Sequence, residues 1–563
     1  MRRPPTSELL RALRMRFRGA VRPVVTAFAS TFDPRTLRGL APFAVALVLA
    51  PFLAPAIRSN LKEPLFSDTL AFQYTGWCLR HGMRLYGDFG MTDGPFIHYL
   101  HALIQVFVGI TDRGFRRADL SIEVFGSAVL GALLAPAQGP RTASRWVNRA
   151  AWAASAAAVW LSWYFTFGWE GTTQREAFYS IFGSVGMVLL FVSSDFDPRR
   201  AAIAEFLGAF LVTTQVFGKP TGVLYFAAGA LCVLLPNAGA SLTWRKRARI
   251  LLVGSAACAL AVVFLLAISG SFSGYVHWCV RTPYRSNRFL WGTDWHRLFL
   301  TVYWERFSRI AAGAFVAGAA AIGVGLLPPR AVGFVVLPPL TFLSACLQAR
   351  GFDYHIIPMV ASAHVVLLVI LTRLWKLDDA REAPGERRER GVVAALALSF
   401  AGYYAFCNMQ EARPRWGGDP NTWDAPEHES AEDEKKAGLY IKAHTEPDDF
   451  VFAYVAANAH VVLLSAERRT ASPTYLVYWL DPVSLLPRSE VKPTAAEMTA
   501  LVALQTDNRK DACASVLRHQ PAAMAFDSLD MAYAVCPDVR SMLANDFGPP
   551  TTFGPIRVYL RKR

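Results

Sequence analysis

Long apolar stretches recur along the first three quarters of this 563-residue chain and limit its fold more than any other feature. Residues 251–268 and 391–408 are examples, and neither contains a charged side chain. Stretches of this kind match the length that is needed to cross a hydrocarbon core of about 30 Å. Only 18% of all residues are charged, against about 25% in soluble domains. The sequence therefore predicts an α-helical polytopic membrane protein.

The distribution of basic residues orients the predicted helices. The formal net charge is +15, and the first 39 residues contain nine arginines. Lys and Arg accumulate in the cytoplasmic segments of membrane proteins, so we expect the N terminus in the cytoplasm. The same rule accounts for the positive net charge, so no nucleic-acid partner is predicted from it. Eleven spans are predicted, at residues 40–57, 118–137, 150–166, 176–194, 201–217, 221–236, 250–268, 308–327, 331–347, 356–372 and 391–408.

Segment 96–110 is apolar enough to cross but contains His98, His101 and Gln105. If it crossed, four later basic loops would move to the outer side and break the charge rule. We therefore expect a helix that lies in, or re-enters, the outer interface. The C-terminal region then faces outward.

The chain divides into three parts on composition. A basic cytoplasmic segment spans 1–39, a transmembrane domain spans 40–410, and a polar C-terminal domain spans 411–563. Two long loops of the transmembrane domain face outward, and long structured loops are frequent carriers of function. They cover residues 58–117 and 269–307. For the C-terminal domain we expect a small α/β fold, with strands at 450–455, 461–464, 522–526 and 556–560 and helices at 432–444, 495–517 and 529–545.

The eight cysteines form no CxxC pair and no Cys/His cluster with zinc spacing, so no metal centre is predicted from them. Most lie in apolar segments, where cysteine behaves as a small apolar residue. Cys513 and Cys536 lie in the polar C-terminal region instead. They would be able to form a disulfide if that region is outside the cytoplasm.

Within the first outer loop, the stretch from Asp68 to Pro95 contains three acids, Asp68, Asp88 and Asp93. Apolar residues at helical spacing follow Asp68, which places this acid at the start of an amphipathic helix. Two interpretations are open for it. The carboxylate either caps the helix, or it acts as a general base whose pKa is raised beside the bilayer. Asp88 and Asp93 lie near glycines and are either turn residues or substrate contacts.

The order of motifs in this loop adds a resemblance. An apolar first span is followed by an acid that opens the next helix, then by Leu85-Tyr86-Gly87-Asp88, and then by Asp93-Gly94-Pro95 before an apolar helix with His98-Tyr99. This order resembles the C-type integral-membrane glycosyltransferases, in particular the bacterial branch related to protein O-mannosyltransferases and lipid A aminoarabinose transferases. The similarity covers roughly residues 40–410, and its specific motif is the first outer loop.

The resemblance implies that Asp68 matches the essential carboxylate of those families. Asp93-Gly94-Pro95 departs from the Lys-Pro-Pro run of many relatives, so a basic contact to the donor phosphate has to come from elsewhere. Departure of a lipid phosphate adds negative charge, for which fixed cations are expected. The second outer loop offers them among aromatic residues, although such a loop would also contact anionic lipid without specificity. The candidates are Arg281, Arg285, Arg288 and Arg297.

Lys219 lies between Gly218 and Pro220, in a turn that joins two predicted spans. A charge so close to the apolar region is costly, so Lys219 either meets the donor or extends to the outer surface. A third outer loop brings three more charges together, which either pair with one another or line the sugar pocket. These are Glu170, Arg175 and Glu176.

Arg350, Tyr354 and His355 precede the tenth predicted span. By resemblance, these three residues contact donor or acceptor. An interfacial aromatic belt explains Tyr354 equally well.

These features predict a membrane glycosyltransferase that moves a monosaccharide from a polyprenyl-phosphate donor to a hydroxyl of a glycan, lipid or protein on the outer face. Asp68 would be the general base, and the reaction would invert the anomeric centre. No cofactor is required, although Asp68 with Asp88 or Asp93 would suit Mg or Mn. The Ala- and Arg-rich composition suggests a bacterial inner membrane, with the C-terminal domain in the periplasm.

Two other functions stay open from the sequence. A lipid-linked sugar transporter or flippase would place polar groups near the bilayer midplane and often shows two related halves. Here the ionisable residues concentrate in outer loops, and no internal repeat is present. A noncatalytic membrane scaffold with an outer binding domain would leave the acids and arginines of these loops without a role.

Overall fold

The computed structural model describes residues 42–65, 67–136, 143–235, 241–290, 292–376, 403, 427–456 and 458–562. Within these ranges six helices are long and apolar enough to cross a membrane, as in a multi-pass membrane protein. The predicted span 391–408 lies outside the described residues except for Tyr403, so the number of eleven spans stays a prediction.

The longer helices of the transmembrane part are joined by short helical turns. They are α1 Phe43–Asn60, α2 Ser67–Arg80, α3 Pro95–Val108, α4 Asp112–Leu134, α5 Ala143–Tyr164, α6 Arg175–Val192, α7 Pro198–Gly218, α8 Val223–Leu234, α9 Trp244–Ile268, α10 Val302–Gly323, α11 Val332–Gln348 and α12 Ile357–Lys376. The turns include Gly168–Gly171, Phe272–Tyr275, Thr282–Ser286, Trp295–Leu300 and Asp353–Ile356.

Charged residues at one end of the bundle tie its helices together. The Arg373 guanidinium lies 3.3 Å from the Asp195 carboxylate, and Arg330 lies 3.7 Å from the same residue. A buried pair, Arg247 with Glu205 at 2.5 Å, links α9 to α7. The predicted topology assigns all these residues to the same side of the membrane, and the structure brings them together. Asp68 and the C-terminal domain lie at the opposite end.

Helix α3 corresponds to the ambiguous apolar segment 96–110. At its N-terminal end, the Gly94 N–H donates to the Gly218 carbonyl at 3.2 Å. Just beyond its C-terminal end, the Asp112 carboxylate lies 3.6 Å from Lys435 of the C-terminal domain. Both ends of α3 thus lie near the Asp68 end of the bundle, which is the geometry expected of a helix that runs along an interface.

The C-terminal region forms a five-stranded mixed sheet in the order β2-β1-β3-β5-β4. The central strands β1 and β3 are parallel, and β5 pairs antiparallel with β3 and β4. Every residue of β3 is buried, as expected for the middle of a covered sheet. The strands are β1 Phe450–Tyr454, β2 Arg469–Thr470, β3 Ala523–Phe526, β4 Thr551–Phe553 and β5 Ile556–Leu560, with helices α13 Glu427–His444, α14 Ala459–Ala466, α15 Ala495–His519, α16 Leu529–Val535 and α17 Asp538–Asp546.

The strand predicted at 461–464 is wrong, because these residues belong to helix α14. Nearly every residue of this helix is buried, so its sequence is apolar on all sides. A short apolar run of this kind has no periodicity that separates a strand from a buried helix. Cys513 and Cys536 form a disulfide between α15 and the end of α16.

The C-terminal domain packs against both outer loops. The Tyr74 hydroxyl of α2 donates to the Arg468 carbonyl at 2.9 Å, and the Tyr475 hydroxyl donates to the Ala71 carbonyl at 3.1 Å. In the second loop, the Asp294 N–H donates to the Glu490 carboxylate at 2.8 Å. Helix α2, which begins next to Asp68, is therefore held between the membrane bundle and the sheet domain.

Candidate functional site

Asp68 lies in the first turn of α2 and is partly buried. Its neighbour Thr69 is fully buried, and the Thr69 hydroxyl lies 3.0 Å from the hydroxyl of Thr173. The Tyr354 hydroxyl donates to Asp68 Oδ2 at 3.2 Å. Asp68 is thus fixed by residues from two other parts of the bundle rather than by its own helix alone.

Desolvation raises the pKa of the Asp68 carboxyl above its ordinary range, although the positive charge of Arg175 opposes this shift. The negative charge of Glu176 raises the pKa further, while the Tyr354 hydrogen bond and Arg350 lower it. A carboxylate with a raised pKa is a better proton acceptor than a solvated one. The local chemistry therefore suits a general base.

Arg175 begins α6 and contacts two acids. Its guanidinium pairs with the Asp93 carboxylate, and its Nε lies 3.1 Å from Glu176 Oε1. It also lies 5.9 Å from the centre of the Phe72 ring, one turn along α2 from Asp68. Arg175 therefore pairs with Asp93 and lies close enough to Asp68 for its charge to act on the pKa of that acid.

Lys219 follows the last residue of α7 and pairs with Glu176, with Nζ 2.8 Å from Oε1. This pair gives the physical reason for a lysine so close to the apolar region. Gly94 packs directly against this turn, since a Cβ at Gly94 would lie 1.7 Å from the Phe217 carbonyl oxygen. Only glycine fits there, which explains the Asp93-Gly94-Pro95 sequence.

Arg350 is partly buried, and it lies close enough to Asp68, Tyr354 and Arg175 for their charges to act on its pKa. Its Nη2 donates to the Asn287 carbonyl at 3.2 Å. Within the described ranges, no carboxylate lies at ion-pair distance from Arg350, whereas Arg175 and Lys219 are both paired with acids. Burial lowers the pKa of Arg350, and Tyr354 opposes the shift.

His355 is 3% exposed and lines a pocket together with Lys219 and Glu176. Its ring packs edge-on against the Tyr354 ring, with the centroids 4.8 Å apart. Six of the predicted site residues therefore meet at one end of the bundle: Asp68, Asp93, Lys219, Arg350, Tyr354 and His355.

The remaining candidates lie elsewhere. Asp88 pairs with the exposed Arg84 at 2.7 Å, four residues away in the chain. Arg281 and Arg285 are exposed, and Arg297 pairs with Glu490 of the C-terminal domain. The Arg288 side chain lies outside the described part of the structure.

One residue near Asp68 comes from the C-terminal domain and was not predicted from the sequence. Burial raises the pKa of the Tyr478 hydroxyl, and the charge of Asp68 adds to the shift. Tyr478 follows Tyr475, whose hydroxyl is bonded to α2. No local sequence pattern places Tyr478 near Asp68, because most of the chain separates the two residues.

The raised pKa of Asp68 predicts the pH dependence of any reaction in which it is the base. The rate requires the ionised carboxylate, so activity should be lost as pH falls through the Asp68 pKa. Because that pKa lies above the ordinary range, the acidic limb should lie at higher pH than for an exposed aspartate. The measurement is kcat/KM for the donor across an acid-to-neutral pH series, because this quantity reports the pKa of the free enzyme. A limb at the pH of an ordinary, solvated aspartate would contradict this prediction.

The helices and the polar cluster define a multi-pass membrane protein with a charged site at one end, beside an α/β domain. No protein-family model matches the chain, and no curated protein matches it. Among solved structures, the chain is similar to the oligosaccharyltransferase of Archaeoglobus fulgidus in the apo form. The TM-score is 0.46, with 10% sequence identity over 93% of this chain and 74% of that chain.

Proposed function

We propose that this protein is a membrane glycosyltransferase of the C type, which moves a monosaccharide from a polyprenyl-phosphate donor to an acceptor hydroxyl. The observation that carries the proposal is the proximity of Asp68 to Arg350. Asp68 is a carboxylate with a raised pKa. Arg350 is a partly buried cation with no carboxylate at ion-pair distance in the described chain. Together they supply a base and an anion contact at the end of a membrane bundle.

In the proposed reaction, Asp68 accepts the proton of the acceptor hydroxyl while the hydroxyl oxygen attacks the anomeric carbon. The bond from that carbon to the phosphate oxygen breaks, and its electron pair leaves with the lipid phosphate. This single displacement inverts the anomeric centre. Tyr354 would hold the Asp68 carboxylate in position through its 3.2 Å hydrogen bond.

Arg350 would offset the negative charge that develops on the departing phosphate. Arg175 and Lys219 are less suited to this role, because Asp93 and Glu176 already compensate their charges. Arg281 and Arg285 are exposed, so contact with anionic lipid headgroups fits them better.

The site would face the periplasm of a bacterial inner membrane, where a polyprenyl-phosphate sugar and a glycan, lipid or protein acceptor meet. Tyr478 would lie on the acceptor side, since it comes from the outer domain. The scheme needs no metal. Asp88 and Asp93, one of which Asp68 would need as a partner to hold Mg or Mn, each pair with an arginine.

Replacing Arg350 with Gln tests the donor assignment. We expect kcat/KM for a synthetic polyprenyl-phosphate sugar to fall by about 10²–10³-fold, the usual cost of losing one group that stabilises developing charge. Arg350 also lowers the pKa of Asp68, so the acidic limb of the pH profile should move to higher pH. The assay measures release of polyprenyl phosphate in the presence of cell-envelope extract.

The matched control is Arg285→Gln, which removes an exposed arginine of the second outer loop. It should stay within about twofold of the wild type, as expected for a surface change away from the site. The reverse result, a normal Arg350→Gln and a defective Arg285→Gln, would assign the phosphate to the second outer loop and overturn the role of Arg350.

A further inference from the structure

A pocket lies near Asp68, between helices α6, α7, α8 and α11 and the turn before α12. Several of its buried polar atoms have no hydrogen-bond partner in the described part of the chain. In Glu176, Oε1 is bonded to Lys219 and Arg175, but no described residue bonds to Oε2. The described residues also provide no partner for the Tyr179 hydroxyl, for Gln215 Oε1 or for either ring nitrogen of His355.

The orientation of the Gln215 amide is fixed by its surroundings. Its Nε2 donates to the Leu211 carbonyl at 3.0 Å and to the Thr214 hydroxyl oxygen at 3.0 Å. The Thr214 hydroxyl itself donates to the Leu211 carbonyl, so it can only accept from Gln215. Gln215 Oε1 is therefore left as an acceptor that meets no donor within the described ranges. Buried polar atoms rarely stay unsatisfied in folded proteins, so a ligand or water is expected to meet them.

The hydrogen-bonding capacity of the unpaired atoms indicates which class of ligand fits the pocket. Glu176 Oε2 and Gln215 Oε1 only accept hydrogen bonds, so each needs a donor that the oxygens of an ionised phosphate do not supply. The Glu176 charge would also repel a phosphate. A free cation is disfavoured in turn by Lys219. A neutral group with several hydroxyls satisfies all partners, because each hydroxyl both donates and accepts.

We infer that this pocket binds the hydroxyl-bearing edge of the donor sugar, with Gln215 and Glu176 as its hydrogen-bond acceptors. The inference rests on the proposed glycosyltransferase function and assigns Lys219 to the sugar side of the donor rather than to its phosphate. Arg350 is then the cation for the phosphate. Sugar specificity would be set by the acceptors of this pocket.

The test compares two probes, a polyprenyl-phosphate monosaccharide and the same polyprenyl phosphate without sugar. Binding to detergent-purified protein is measured by displacement of a labelled polyprenyl-phosphate sugar, for a panel of hexose and pentose donors. Gln215→Leu should weaken the preferred sugar-bearing probe about tenfold, as expected for the loss of one buried hydrogen bond. Binding of the sugar-free probe should stay within twofold.

Thr213→Val is the matched control, since Thr213 lies two positions before Gln215 on α7 but outside the pocket lining, and its hydroxyl donates to the Ala209 carbonyl at 2.7 Å. It should leave both probes within twofold. Equal weakening of both probes by a folded Gln215→Leu protein would place the phosphate in the pocket, and no change in either probe would mean that only water fills it. Either result overturns the inference.

The binding test does not depend on turnover, so it separates the two proposals. Wild-type protein that prefers a sugar-bearing probe but never releases polyprenyl phosphate would contradict the proposed function and leave the pocket assignment standing. Turnover without any preference for the sugar-bearing probe would contradict the pocket assignment alone.

Discussion

Replacing Asp68 with Asn should reduce sugar transfer by about 10²–10⁴-fold, the usual contribution of a general base. Asparagine has nearly the same shape, and its oxygen still accepts the 3.2 Å hydrogen bond from Tyr354, so the protein should fold. What it loses is the ability to take a proton from the acceptor. The measurement is release of polyprenyl phosphate from a synthetic donor at saturating concentration, with cell-envelope extract as the source of acceptor.

Asp88→Asn provides the matched control within the same loop. Asp88 is partly exposed and paired with Arg84 at the surface, where such pairs contribute little. It should therefore transfer sugar at a rate within about twofold of the wild type. If Asp68→Asn protein elutes as a folded species and transfers normally, Asp68 is not the base and only its capping role is left.

The residues near Asp68 were partly predictable, for different physical reasons. Lys219 was identifiable because a lysine beside an apolar helix is costly without a partner, and the structure supplies that partner in Glu176. Arg350 and Tyr354 were proposed by resemblance, and the structure places both next to Asp68. Tyr478 was not predictable, since it reaches the site only after the C-terminal domain has packed against α2.

Charge pattern alone was a weaker guide to the site. The second outer loop offered four candidate arginines among aromatic residues, yet Arg281 and Arg285 are exposed and Arg297 pairs with Glu490. The sequence cannot show which arginine lacks a carboxylate partner, because that depends on contacts between distant segments. Arg175, for example, is compensated by Asp93, which lies 82 positions earlier in the chain.

A second large effect is expected from Arg116, which lies in α4 and is fully buried. Its Nε donates to the Glu63 carbonyl at 3.0 Å, and its Nη2 donates to the Pro64 carbonyl at 2.6 Å. Its Nη1 donates to the Thr172 hydroxyl at 2.9 Å. Arg116 thus ties the segment just before Asp68 to the segment just before Arg175.

Replacing Arg116 with Met should lower the free energy of unfolding by about 3–5 kcal/mol, because buried acceptors lose their donor and each costs about 1–3 kcal/mol. Transfer by the folded fraction should also fall, since Asp68 and Arg175 would no longer be held at a fixed separation. Unfolding is followed by denaturant titration in mixed micelles. Arg117→Met is the control, because the neighbouring arginine is exposed and its loss should change stability by less than about 0.5 kcal/mol. Equal unfolding midpoints for the two variants would mean that the Arg116 hydrogen bonds do not hold these segments together.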